Sequence, residues 1–162
     1  MTETTARKKP APRKAATRKR AATAGKPRKK NTPASKPVSV LIVGAGFAGL
    51  GMAIRLRQAG IDDFVILERA SAVGGTWRDN QYPGAACDIP SNLYSYSFAP
   101  NPNWSRSFSG SKEILGYIHH LVAEFDLEKH IRFEKNVADL SFDEKKGLWI
   151  ATTDNKETFA GR

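Results

Sequence analysis

Gly44, Gly46 and Gly49 stand at the spacing Gly-x-Gly-x-x-Gly, and an acid, Glu68, follows 19 residues after the third glycine. Such a set can hold a dinucleotide. The first glycine allows a tight turn, the second lets backbone approach a pyrophosphate with no Cβ in the way, and the third lets a helix pack closely on its strand. A helix opening at Phe47 and Ala48 would offer unpaired N–H groups and the positive end of its dipole to the phosphates. A carboxylate at Glu68 can accept both ribose hydroxyls of an adenosine and disfavours a 2′-phosphate, so FAD or NAD suits the pattern better than NADP. A structural glycine turn in some other α/β protein is the alternative use of the same residues.

The elements that must position these residues are legible around them. Val38–Val43 is a short β-branched apolar run, as expected of a central parallel strand covered on both faces. Residues 47–59 read as a helix closed by Gly60, and Phe64–Leu67 as a second strand ended by Glu68, giving a βαβ unit. Residues 69–110 are rich in Gly, Pro, Ser and aromatics without periodicity, the signature of a long functional loop. Ile114, Tyr117, Ile118, Leu121, Val122 and Phe125 then fall on one helical face, with Ser111 as N-cap and Glu113 in the first turn. Ile131–Phe133 predicts a third parallel strand, and 137–143, 148–153 and 157–160 a small antiparallel meander. The fold class is α/β, a Rossmann-like FAD-binding domain over residues 38–162. FAD is favoured over NAD by Gly74-Gly75-Thr76-Trp77, placed where a dehydrogenase more often enters another helix, and by Trp77, Tyr82, Asp88, Tyr94 and Tyr96 in the loop that follows. An isoalloxazine needs such flat apolar neighbours and a few fixed polar groups. As composition alone, the same aromatics serve core packing.

Charge divides the chain. The net charge is +10, but residues 1–37 hold 13 Lys/Arg against the single acid Glu3, whereas residues 38–162 hold 13 against 15 acids. A globally basic nucleic-acid-binding domain is excluded. Residues 1–37 predict a disordered tail that would bind nucleic acid or another polyanion weakly through counterion release. The one cysteine, Cys87, excludes a disulfide framework and a cysteine-based zinc site. It reads as a packed neutral thiol, with no histidine near it in sequence. His119 and His120 are adjacent on a helix and cannot share a face, so no metal site is expected. No apolar run is long enough to span a membrane and no secretory signal precedes the tail, so a cytoplasmic protein is expected.

Three longer runs are more selective than the glycines: Gly74-Gly75-Thr76-Trp77, Tyr82-Pro83-Gly84-Ala85-Ala86-Cys87-Asp88 and Leu93-Tyr94-Ser95-Tyr96-Ser97-Phe98. With them, residues 38–160 resemble class B flavoprotein monooxygenases, and most of all the FAD-binding N-terminal part of Baeyer–Villiger monooxygenases. The resemblance implies FAD, NADPH and O₂, and oxygen insertion beside a ketone carbonyl through a C4a-peroxyflavin to give an ester or lactone. It implies that Gly44, Gly46, Phe47, Ala48 and Gly49 hold the FAD pyrophosphate and Glu68 the adenosine ribose. Gly75, Thr76, Trp77, Arg78 and Asp79 would line the flavin side, Tyr94 would contact FAD further along, and Val137 would meet the adenine through its backbone. Asp88 would lie near the flavin and nicotinamide as a catalytic candidate, or else cap its own loop, with Ala86 and Cys87 beside the NADP path. An amine- or sulfide-oxygenating relative is the second expectation, and a non-catalytic polyanion binder acting through its tail is one of another class. The family's second glycine fingerprint, its Phe-x-Gly-x-x-x-His-x-x-x-Trp signature and its downstream arginine do not occur here. Residues 38–162 are therefore expected to be marginally stable alone, with a sheet edge left open, to bind FAD weakly, and not to oxidise NADPH.

Overall fold

The computed structural model describes residues 36–162. The expected tail lies outside the described residues, apart from Lys36 and Pro37.

β1 (Val40–Val43), α1 (Phe47–Gln58) and β2 (Phe64–Leu67) follow one another as the pattern predicts. β1 and β2 pair in parallel, Val40 opposite Phe64 and Val43 opposite Leu67. A Schellman turn ends α1: Gly60 takes φ +76°, its N–H donates to the Arg57 carbonyl, and the Ile61 N–H reaches back to Leu56, each at 2.9 Å. β3 (Ile131–Arg132) joins the other edge of β2, also in parallel.

The central strand is thus β2, all four of whose residues are buried. Among the described residues β1 stands at the edge of this sheet, which the expectation of a strand covered on both faces did not specify. Its only described neighbour besides β2 is a single parallel bridge from Val38 to Gly161, and Val43 is 56 % exposed. Both strands are four-residue apolar runs, so their composition does not tell the edge from the centre.

The meander forms from β4 (Val137–Asp143), β5 (Leu148–Thr153) and β6 (Thr158–Gly161), antiparallel in that order, with a bulge between Val137 and Asp139. It is tied to the parallel sheet at Val38, whose N–H donates to Ala160 at 3.0 Å and whose carbonyl accepts from Arg162 at 3.2 Å. The side chains of β2 alternate between two layers. Phe64 and Ile66 pack with Leu50, Ile54, Ile118 and Leu121 of the helices, while Val65 and Leu67 pack with Ala151 and Phe159 of the meander. Each such aliphatic side chain stabilises by about 1.5–3 kcal/mol when fully buried.

Along the chain, the short α2 (Thr76–Asp79) and α3 (Ser111–Glu124) lie between β2 and β3. α3 buries Ile114, Tyr117, Ile118 and Leu121, as its periodicity predicts. Ser111 is not its N-cap. Gly110 holds that place with extended backbone, paired with Ala86, and Ser111 is already helical, its N–H donating to the Ala85 carbonyl at 2.9 Å. Glu113 does stand in the first turn, where it also accepts from the N–H and hydroxyl of Ser105 at 2.7 and 2.8 Å.

Candidate functional site

The turn from β1 into α1 needs its glycines. Gly44 takes φ +96° and donates its N–H to Leu67 at 2.8 Å, which binds the turn to the end of β2. A Cβ on Gly49 would lie 1.9 Å from the Gly44 carbonyl oxygen, so the helix can approach the strand only with glycine there. A second glycine turn faces the first: Gly75 takes φ +52°, and a Cβ on it would sit 3.3 Å from Gly46 Cα. The first turn of α1 contains no acidic residue and receives no side-chain cap. Its amides at Phe47 and Ala48 are thus left for an external acceptor, and a helix N-terminus of this kind suits a phosphate.

Glu68 closes β2 with its side chain almost wholly enclosed, the residue being 3 % exposed. Its backbone is held by the segment around β3, donating to Arg132 at 2.9 Å and accepting from Lys135 at 2.8 Å. The carboxylate oxygen Oε2 accepts from the Ala45 N–H at 2.7 Å. Oε1 accepts from the Ala70 N–H at 3.0 Å and from Arg78 Nη1 at 3.1 Å. A carboxylate has about four acceptor positions. Three are filled, and the one remaining lies on Oε2.

A cleft of about 230 Å³ opens beside this carboxylate, lined by Gly44, Gly46, Glu68, Gly75, Arg78 and Val137. Arg69, Lys135 and Asn136 also border it and were not foreseen. The signal for two of them was their place directly before Val137. Arg78 also donates to the Ala72 carbonyl and to Asp79 Oδ1 at 2.8 Å, and Asp79 in turn binds Arg69 at 3.0 Å. The hydrogen bond with Asp79, reinforced by Glu68, raises the Arg78 guanidinium above its ordinary range, and the same partner holds the Asp79 carboxyl below its own.

Beyond Gly75 the loop builds an aromatic wall. Trp77 Nε1 donates to the Tyr94 hydroxyl at 3.0 Å, and the two rings meet edge to face at 5.4 Å. Phe47 meets Tyr94 in the same manner at 5.1 Å. Tyr96 donates its hydroxyl to the Phe47 carbonyl, and its ring closes over Gly51, where a Cβ would lie 2.9 Å away. Burial pushes the Tyr96 phenol well above its usual range. The Tyr94 hydroxyl proton has no acceptor among the described residues, which leaves it for a ligand.

The remaining candidates sit on the next stretch of loop. Cys87 is buried, its N–H donating to Ser109 at 2.9 Å, and Ala86 bridges Gly110. Asp88 beside them is exposed and accepts no hydrogen bond among the described residues. A larger cleft of about 650 Å³ runs from Trp77 along Tyr82–Ala85 to the start of α3. No helix of the described residues is long and apolar enough to cross a membrane.

Comparison with known proteins agrees with this geometry. Residues 42–110 match the family of NAD(P)-binding Rossmann-like domains. A Baeyer–Villiger monooxygenase of Streptomyces coelicolor is 55 % identical over 116 residues, which is 72 % of this chain and 22 % of that protein. An oxidised steroid monooxygenase bound to NADP superposes with a TM-score of 0.72 at 39 % identity, covering 78 % of this chain and 25 % of that one. The enzyme OTEMO in complex with FAD and NADP gives 0.71 at 32 % identity, covering 81 % and 25 %. The described residues form a dinucleotide-binding unit of Rossmann type. The chain is homologous to Baeyer–Villiger monooxygenases and matches their N-terminal part. It spans about a fifth of the length of the curated relatives it matches.

Proposed function

We propose that residues 38–162 bind FAD and serve as the FAD-binding portion of an NADPH- and O₂-dependent monooxygenase that oxidises ketones to esters or lactones. The observation that carries this reading is the buried Glu68 carboxylate beside the uncapped first turn of α1, with an aromatic wall beginning at Trp77. The donor set fits FAD. The amides of Phe47 and Ala48 bind the pyrophosphate, with Gly44, Gly46 and Gly49 allowing its approach. Glu68 accepts from the adenosine ribose, and the backbone at Val137 borders the adenine. Gly75, Thr76, Trp77 and Tyr94 orient the flavin end, the Tyr94 hydroxyl donating to it. Arg78 and Asp79, carried over as flavin-side residues, act instead from the ribose side, because both are engaged with Glu68 or its neighbours. Ala86, Cys87 and Asp88 border the nicotinamide path, where the exposed Asp88 carboxylate can accept a hydrogen bond or face a cationic partner. Bound FAD supplies hydride acceptance from NADPH and activation of O₂.

Flavin titration of the 162-residue chain tests the binding step. FAD should bind at least about tenfold more tightly than FMN, which lacks the adenosine, and Glu68→Gln should erase that preference, as loss of a charge-assisted hydrogen bond does. Equal affinity for FAD and FMN in the parent chain would overturn the reading. For the whole enzyme, a cyclic ketone and a thioether offered together should yield the lactone; sulfoxide as the sole product would favour the sulfide-oxygenating alternative.

A further inference from the structure

Three charged side chains of the cleft, Glu68, Arg78 and Arg69, are joined in an unbroken series through Asp79, whereas Lys135 on its border pairs with Glu157. Only the Glu68 end is enclosed, and only Arg78 in the series touches it. A carboxylate this deep in the protein is costly unless it is paired and hydrogen-bonded. Two of its three donors are backbone amides, Ala45 and Ala70, whose positions are set by the strand ends. The third, Arg78 Nη1, arrives from the far side of the 69–75 turn. It is itself held by the Ala72 carbonyl and by Asp79, so the guanidinium has little freedom to leave.

We propose that Arg78 is a positioning residue: it saturates Oε1 of Glu68 and fixes the carboxylate plane, so that Oε2 alone is left to read a hydroxyl of the ligand's ribose. This rests on the FAD reading, since it names how the adenosine end of that ligand is recognised. The series also explains why Asp79 lies where it does. It anchors the outer edge of the guanidinium, 2.8 Å from Nε and 3.2 Å from Nη2, and leaves Nη1 for Glu68. Arginine suits the task better than lysine because its planar fork can serve several acceptors at once. Sequence spacing did not reveal this contact, because the turn that returns Arg78 to Glu68 leaves no periodic trace.

The test compares ADP with 2′,3′-dideoxy-ADP by calorimetric titration of the full 162-residue chain. The parent should prefer ADP by about tenfold, the scale of one hydrogen bond to a charged acceptor. Arg78→Met should bring that ratio close to one, Arg78→Lys should restore part of it, and FMN affinity should hold steady in both. A merely structural role would weaken both nucleotides alike and leave the ratio intact, which would overturn the proposal. So would a further fall in the ratio when Arg78→Met is added to Glu68→Gln, because Arg78 would then act independently of Glu68. Should Arg78→Met not fold, Arg78→Lys and Asp79→Asn carry the test, and unchanged ratios in both would count against it. A parent chain that shows no preference for ADP, with Glu68→Gln silent, overturns the FAD reading together with this one. A parent preference that Glu68→Gln abolishes and no Arg78 variant alters overturns this one alone.

Discussion

A methyl group on residue 49 would have its carbon 1.9 Å from the Gly44 carbonyl oxygen, and backbone cannot yield there without parting α1 from β1. Gly49→Ala should therefore cost about 3 kcal/mol or more, the upper range of overpacking, seen as a lowered urea midpoint. Gly60 makes the contrast. A Cβ there meets nothing within 4 Å, but φ is +76°, so Gly60→Ala should cost only about 1–2 kcal/mol, the strain of left-handed backbone. Both glycines were legible in the sequence, one from the fingerprint and one from the end of a periodic run. The contact of Arg78 with Glu68 was not. Nor was the amide of Ala45 on Oε2, because a backbone donor carries no residue-type signal.

Among the elements, the short 3₁₀ turn Glu128–His130 joins α3 to β3 and carries a buried histidine. The His130 ring stacks on Phe64 at 4.1 Å, with Nδ1 3.3 Å from the Phe64 carbonyl and Nε2 3.9 Å from Asp62. Burial lowers its pKa, aided by the charge of Lys129 and opposed by the Phe64 carbonyl and Asp62. The folded chain thus keeps His130 neutral after the unfolded chain has begun to take up a proton. Its contribution is full above the unfolded value of about 6.5 and is lost as pH falls from there toward the folded value. His130→Gln should flatten the decline in melting temperature between pH 7 and 5. Helix α3 could be read from its 3.6-residue period because one face is buried and the other wet. The order of the parallel strands could not, because β1 and β2 have the same length and apolar character and their neighbours are set by β3, far along the chain.

At the scale of the whole described molecule, the alternation that predicted the meander also leaves part of it bare. Leu140, Phe142 and Trp149 are exposed, and the last two rings pack on each other at 5.2 Å. Apolar surface of this kind favours association. Phe142→Ser combined with Trp149→Ser should raise the solubility limit and shift the chain toward monomer in size-exclusion chromatography, leaving FAD affinity unchanged. The meander itself was foreseen from strand alternation, whereas the bridge from Val38 to Gly161 that ties it to the parallel sheet was not, since one residue pair has no pattern. A further consequence follows from the two-residue pairing of β3 with β2, Ile66 with Ile131 and Leu67 with Arg132. The β1–α1–β2 crossover unit can assemble from neighbouring sequence, but this pairing must first close the whole segment 68–130, and distant closures are slow. Glu68 takes its backbone partners from that closure. In refolding monitored by stopped flow, helical signal should therefore recover in an earlier phase, and the capacity to capture nucleotide only in a later one.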